Sequence, residues 1–579
     1  MTTTRRDLFK FAGGAALGAL LTPAPWRLIT DTALWSENWP GIPRPARGEM
    51  RTKFTNCTLC PAGCAVQARC VGEQPVSLAG VAGHPLSHGA LCAFGIAGHH
   101  LPYHPARLRS GAVQEAAAAV AQAMAGRGAR GRVVVFDPRP GRTASWTYRR
   151  AMAAIPGGTY VRPAPALGGN AVNLAAARTV LSFGVPVMDG WGTPGNVMAA
   201  REGFRLIQVE AVESRTAAMA DVWLPVRAGQ ERAMAAAMGG APGTGIADEQ
   251  VRQVAQELAE NGPAVVLGLE DWPEIVALNR RCGAAGRTIV ARRGTPVPEA
   301  WKKSAPETEW SAVEDGSVRV LLIDEAAAGD TVPWSAIQPK LARGALVVAF
   351  ACTREGYARH ANYTLPTAVY PEMVDDIPAA VDSPASVFRM SASLVAAPEG
   401  MVNPAEFVAR LGGIDGGAAL RERADAIHRT GRGSVFAAGQ ASRTAREMKP
   451  DEFRKALTEG ACWIDEPDPK AKPPVLVAAS AGYASSVALT EQRGAGLVSP
   501  LLSKLHEESR LRLARHEVAL HPSSGFRDGE RAALETGRGR IEVVVTLDSS
   551  VPPGVVQAAA GADVVDLCGG DADARVVRI

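Results

Sequence analysis

Short apolar runs punctuate the middle of the chain. Residues 133–136, 180–183, 206–209, 264–267, 320–323 and 346–350 are dominated by Val, Leu, Ile and Phe, and Ala-rich segments long enough for helices lie between them. Continuous apolar runs of this length suit strands buried on both faces. Their alternation with helical segments predicts parallel sheets of the doubly wound type, whose ligands dock beyond the carboxyl ends of the strands. No glycine-rich dinucleotide fingerprint and no phosphate-cradling lysine motif follows any run, so nothing here supports NAD or ATP.

The ends of the chain read differently. Residues 532–536 and 541–546 alternate about a Gly537-Arg538-Gly539 turn, which predicts an all-β C-terminal domain. A polar stretch over 442–474, dense in charge and proline around Asp465-Glu466-Pro467-Asp468-Pro469-Lys470, reads as a linker. At the start, Arg5-Arg6 precede a weakly apolar Ala/Gly/Leu run over 11–21. That combination predicts a twin-arginine export signal. The run is shorter than the roughly 20 residues that a bilayer span requires. The Thr22-Pro23-Ala24-Pro25 region has no clean small-x-small site, so cleavage and retention as an anchor both stay open.

Composition sets the scale. At 579 residues, with 47% hydrophobic and 21% charged, the chain exceeds one ordinary core and predicts several subdomains. Lys+Arg of 62 against Asp+Glu of 58 gives a net charge of +4, which speaks against a nucleic-acid partner. Nine cysteines are too few for a disulfide scaffold of this length, yet four lie between Cys57 and Cys70.

That clustering points to ligation. Cys57-Thr-Leu-Cys60-Pro-Ala-Gly-Cys64 places three thiols on one tight loop, and Cys92 follows after a stretch that reads as a hairpin. A four-iron cluster takes one thiolate at each iron, so this set predicts a [4Fe-4S] cluster on Cys57, Cys60, Cys64 and Cys92. Zinc also accepts four thiolates, although its knuckles usually come as two close couples. Cys70 sits in an alternating, strand-like context and is left out of the set.

Around these cysteines the chain resembles the molybdopterin oxidoreductase family. The resemblance is carried by the cysteine loop, Ala82-Gly83-His84-Pro85, Gly89-Ala90-Leu91-Cys92-Ala93-Phe94-Gly95 and Tyr103-His104-Pro105-Ala106-Arg107-Leu108. It continues through Leu181-Ser182-Phe183-Gly184, Ile207-Gln208-Val209-Glu210 and Ala220-Asp221-Val222-Trp223-Leu224-Pro225, up to Gly229-Gln230-Glu231. A second, pseudo-equivalent half begins at Arg359-His360-Ala361-Asn362-Tyr363-Thr364-Leu365-Pro366, with Asn362 in place of the usual acid.

The resemblance implies a shortened DMSO reductase-like architecture: an α/β fold with an N-terminal [4Fe-4S] module and a C-terminal β-barrel. The expected division is signal 1–30, cluster module 50–110, α/β domains 111–440, linker 441–475 and barrel 476–579. It also implies that Glu210 and Glu231 take the places where family acids contact the guanosine parts of molybdopterin guanine dinucleotide.

Three departures matter. The interval before Gly169 is short and contains no Cys to ligate molybdenum. Ser145, its nearest hydroxyl, reads as the start of a helix. Phe94 stands where the family carries the Lys or Arg that bridges cluster and pterin. These departures resemble the molybdopterin-like subunits of membrane quinone:cytochrome c oxidoreductase complexes, menaquinone reductases among them. Such subunits work beside a ferredoxin-like iron–sulfur protein, a multihaem cytochrome c and a quinone-binding integral membrane subunit, at the periplasmic face of the membrane. Electron transfer without molybdenum is therefore the expected function. A catalytic molybdopterin reductase or dehydrogenase and a cofactor-poor structural subunit are the alternatives, and substrate chemistry of the chain's own is left open.

Overall fold

The computed structural model describes residues 48–125, 131–240, 248–269, 271–324, 332–478, 488–490, 516–559, 562–568 and 574–579. The expected export signal lies outside the described residues. Among the described residues no helix is long and apolar enough to cross a membrane.

All six apolar runs form strands of two parallel sheets. The larger sheet runs Glu307–Thr308, Gly158–Val161, Arg132–Phe136, Val318–Ile323, Leu341–Ala351, Tyr363–Pro366, with every neighbouring pair parallel. The smaller runs Ala264–Gly268, Thr179–Phe183, Arg205–Glu210, Val222–Pro225, also all parallel.

Apolarity on both strand faces is what this arrangement requires. In the larger sheet Val133, Val135, Leu322 and Phe350 pack into one apolar cluster, while Val134, Phe136, Leu321 and Ala349 pack into another. Period-two alternation sends neighbouring residues to opposite faces, so a run without polar interruptions covers both.

The pseudo-equivalence of the two halves is visible in the strand registers. Val209 pairs with Leu224 and Glu210 with Pro225 in one sheet; Phe350 pairs with Leu365 and Ala351 with Pro366 in the other. Asp221 accepts a hydrogen bond from Leu206 N at 2.8 Å, and Asn362 accepts one from Val347 N at 2.7 Å. Asn362 thus keeps the acceptor oxygen that Asp221 supplies in the first half.

Residues 50–80 form an antiparallel sheet of Met50–Asn56, Ala65–Val71 and Gln74–Gly80, with a tight turn at Gly72-Glu73. It docks on a second antiparallel sheet, to which Asn56 Nδ2 donates at Met390 O (2.9 Å) and Thr55 Oγ1 at Ala392 O (2.8 Å).

The stretch read as a linker needs correction. It contains the helix Pro450–Thr458 and the buried strand Cys462–Asp465, which pairs with Ser386–Met390 on one side and Ser434–Phe436 on the other. Charge around 465–470 marks only the end of that strand.

The C-terminal part is a mixed sheet in the order Ala488–Thr490, Gln557–Ala559, Glu517–Leu520, Gly539–Leu547, Arg531–Thr536, Arg575–Arg578. Among the described residues no ladder joins its two outer strands.

Candidate functional site

The four cysteines are delivered by backbone geometry. Cys57 follows the first strand, Cys64 precedes the second, and the loop between them is closed by Cys57 N donating to Cys64 O at 2.9 Å. Within it Gly63 N donates to Cys60 O at 3.2 Å, and Gly63 takes φ +53°, a left-handed turn that glycine adopts without strain. Cys92 lies just before the short helix Ala93–Ala97, beyond the hairpin.

The structure brings the four thiols together. Burial raises Cys57 well above the usual thiol range, and the neighbouring Cys60, Cys64 and Cys92 raise it further. Cys60 is pushed up to about 11, first by burial and then by Cys92. Cys64 is raised by burial, then by Cys60 and Cys92. Cys70 is buried in the Ala65–Val71 strand, and none of the four is among the causes of its upward shift, which is due first to burial.

Buried and close to one another's charge, Cys57, Cys60 and Cys64 become thiolates together only around positive charge. Among the described residues no three or more His, Cys, Asp or Glu side chains are set about a single metal-ion position. A four-iron cluster, which takes one thiolate at each of four irons, would supply that positive charge.

Three groups around the cysteines were not singled out from the sequence. Arg139 Nη1 donates to Thr58 O at 2.5 Å, and its charge favours the Cys60 thiolate. The Tyr370 hydroxyl is buried without a hydrogen-bond partner, and its ring lies where a Cβ on Gly98 would overlap it. Arg389 is buried on the Ser386–Met390 strand, and a Cβ on Gly63 would overlap its guanidinium. A lone Arg inside Ser-Val-Phe-Arg-Met is the signal that could have found it. Phe94 packs into the apolar cluster with Leu59, Leu78 and Tyr370.

Glu210 and Glu231 end up close enough to interact. Burial raises both, and Glu231 reaches about 7, with Glu210 adding to the rise. Gln208 Nε2 and Ser214 N donate to Glu210, while Gln208 Oε1 stays buried without a partner. This corner therefore offers two carboxylates and an orphan amide oxygen to a donor-rich ligand.

The pseudo-equivalent corner offers none of this. Ala351 takes the register position of Glu210, and Glu372 is consumed by a buried two-point ion pair with Arg107, both contacts at 2.6 Å.

At the point where the larger sheet reverses its strand order, a cavity of about 380 Å³ lies beyond the carboxyl ends of Arg132–Phe136 and Val318–Ile323. Its charges are satisfied internally. Arg142 pairs with Asp137 at 3.0 Å, Asp324 at 2.5 Å and Asp375 at 2.8 Å. Ser145 Oγ donates to Asp137 Oδ2 at 2.5 Å, so the only hydroxyl singled out for molybdenum is committed to an internal bond.

The chain shares the fold of acetylene hydratase from Pelobacter acetylenicus, on which it superimposes with a TM-score of 0.62, covering 91% of this chain and 100% of that one at 14% identity. In sequence it is similar to the menaquinone reductase, molybdopterin-binding-like subunit of Nitratidesulfovibrio vulgaris, 26% identical over 462 residues, 65% of this chain and 67% of that protein. No protein-family model matches the chain. Both likenesses agree with the family resemblance read from the sequence.

Proposed function

We propose that the chain is an iron–sulfur electron-transfer subunit of a membrane-associated, quinone-linked oxidoreductase complex, without molybdenum chemistry of its own. The observation that supports this is the proximity of Cys57, Cys60, Cys64 and Cys92, the first three of which are raised by burial and then by their cysteine neighbours. A [4Fe-4S] cluster would supply one-electron transfer there. The chain's own residues hold the loop closed, exclude water through the apolar packing of Leu59, Leu78 and Phe94, and place Arg139 and Arg389 beside the thiolates.

The molybdenum side is poorer. Ser145 is engaged by Asp137, and no cysteine occurs between Cys92 and Cys282. If a molybdopterin guanine dinucleotide is retained, Glu210 and Glu231 are its contacts, and only in the first half, since Arg107 neutralises the acid of the second.

The relative's name supports assembly with other subunits of a menaquinone reductase complex. A ferredoxin-like iron–sulfur subunit, a multihaem cytochrome c and a quinone-binding membrane subunit are the proposed partners, at the periplasmic face after twin-arginine export. The N-terminal module and the closing C-terminal barrel remain part of this reading.

Iron and acid-labile sulfide in purified protein test the assignment. Cys60→Ser is expected to lose the native cluster signal while Cys70→Ser keeps it. Zinc in place of iron in the native protein would overturn the assignment.

A further inference from the structure

Among the described residues, buried arginines come with carboxylates, with one exception. Arg107 is matched by Glu372, Arg142 by three aspartates, and Arg423 by Asp376 at 2.8 Å. Arg389, 1% exposed, has no such partner among the described residues. Its Nη2 donates to Ala62 O at 2.8 Å and reaches Pro378 O at 3.4 Å and Pro61 O at 3.5 Å. Its Nε and Nη1 have no hydrogen-bond partner at all.

A desolvated guanidinium with two unsatisfied donor nitrogens is strongly unfavourable unless an anion faces it. Its charge acts on Cys60, Cys64, Cys462 and His84, while the nearby carboxylate of Asp382, which also acts on Cys64, is held by Thr193 N and Asn196 Nδ2. Cys60 and Cys64 flank Gly63, the residue whose missing side chain admits the guanidinium.

We propose that Arg389 is a buried countercharge of the cluster, seated on the Cys60–Cys64 corner alongside Arg139 at Cys60, and that it raises the cluster's reduction potential. This rests on the cluster assignment made above. Four thiolates outweigh the positive core, and one-electron reduction adds a further negative charge, so a fixed buried cation favours the reduced state and raises the potential. Phe94 leaves the other approach, beside Cys92, apolar. The positive charge reaches the cluster from a strand more than three hundred residues further along the chain.

The test uses full-length native protein with Arg389→Lys, Arg389→Gln and Arg389→Met, followed by iron and labile-sulfide content and potentiometric electron paramagnetic resonance. The neutral variants are expected to lower the reduction equilibrium constant at least tenfold, about 59 mV for one electron, while Arg389→Lys stays within about threefold of native. If the neutral variants lose iron and the Lys variant keeps it, the cation is needed to hold the cluster at all, which also supports the proposal. Neutral variants with intact iron and an unchanged midpoint would overturn it, as would loss of iron in Arg389→Lys equal to that in the neutral variants. Iron-free native protein would instead remove the cluster assignment beneath it.

Discussion

Glu231 opens the helix Glu231–Met238 beside Glu210, with no arginine or lysine paired to either carboxylate among the described residues. Burial is the main reason its carboxyl rises from 4.5 to about 7; hydrogen bonds from its own and the Gly229 backbone N–H oppose the rise, and Glu210 adds to it. Below pH 4.5 the acid is protonated whether the chain is folded or not, and it contributes nothing to the pH dependence. Between 4.5 and about 7 the folded state holds the proton that the unfolded state has lost, so stability falls as pH rises. At 1.36 kcal/mol per pH unit the full step is about 3 kcal/mol, and partial exposure trims it to about 2 kcal/mol.

Glu231→Gln removes the titrating group and keeps the shape. Urea unfolding midpoints of native and variant protein should converge toward pH 5 and separate by about 2 kcal/mol at pH 8.5, the variant being the more stable. An acid kept at such a cost fits a ligand-binding role better than a structural one. A variant equal to or weaker than native at pH 8.5, or a separation independent of pH, would refute the reasoning.

Three further outcomes follow from the same structure. Arg107→Met strands the buried Glu372 carboxylate and should destabilise by about 3–5 kcal/mol, whereas Arg107→Met combined with Glu372→Gln should recover most of it in urea unfolding. Ser145→Ala breaks a buried bond to Asp137, costing about 1–3 kcal/mol of stability, and should leave the metal content measured by mass spectrometry unchanged. Replacing Arg5 and Arg6 by lysine should hold the precursor in the cytoplasm on fractionation, and unaffected export would count against the twin-arginine reading.

Much of the fold was legible because its signals are local. The parallel strands announce themselves as runs apolar on both faces, and the cysteine loop carries its geometry in its spacing and in Gly63. Elements whose identity depends on distant partners were hidden. Cys462–Asp465 is four residues beside a charged stretch, and only its pairing with Ser386–Met390 makes it a strand. Arg389 is likewise unremarkable until the fold lays it on Gly63. Asn362 was visible as a departure from the family, but that it still accepts the hydrogen bond from Val347 N appears only in the structure. Glu210 and Glu231 were placed by resemblance; that they share a cation-free corner is a property of tertiary structure.

The most direct test of the central claim is quantitative iron and molybdenum analysis, with potentiometric electron paramagnetic resonance, on the protein purified within its native complex. The account predicts four irons per chain in a redox-active cluster and molybdenum well below stoichiometric, with the four-iron content following from the four thiolates. One molybdenum per chain, with a Mo(V) signal that responds to a substrate, would contradict it.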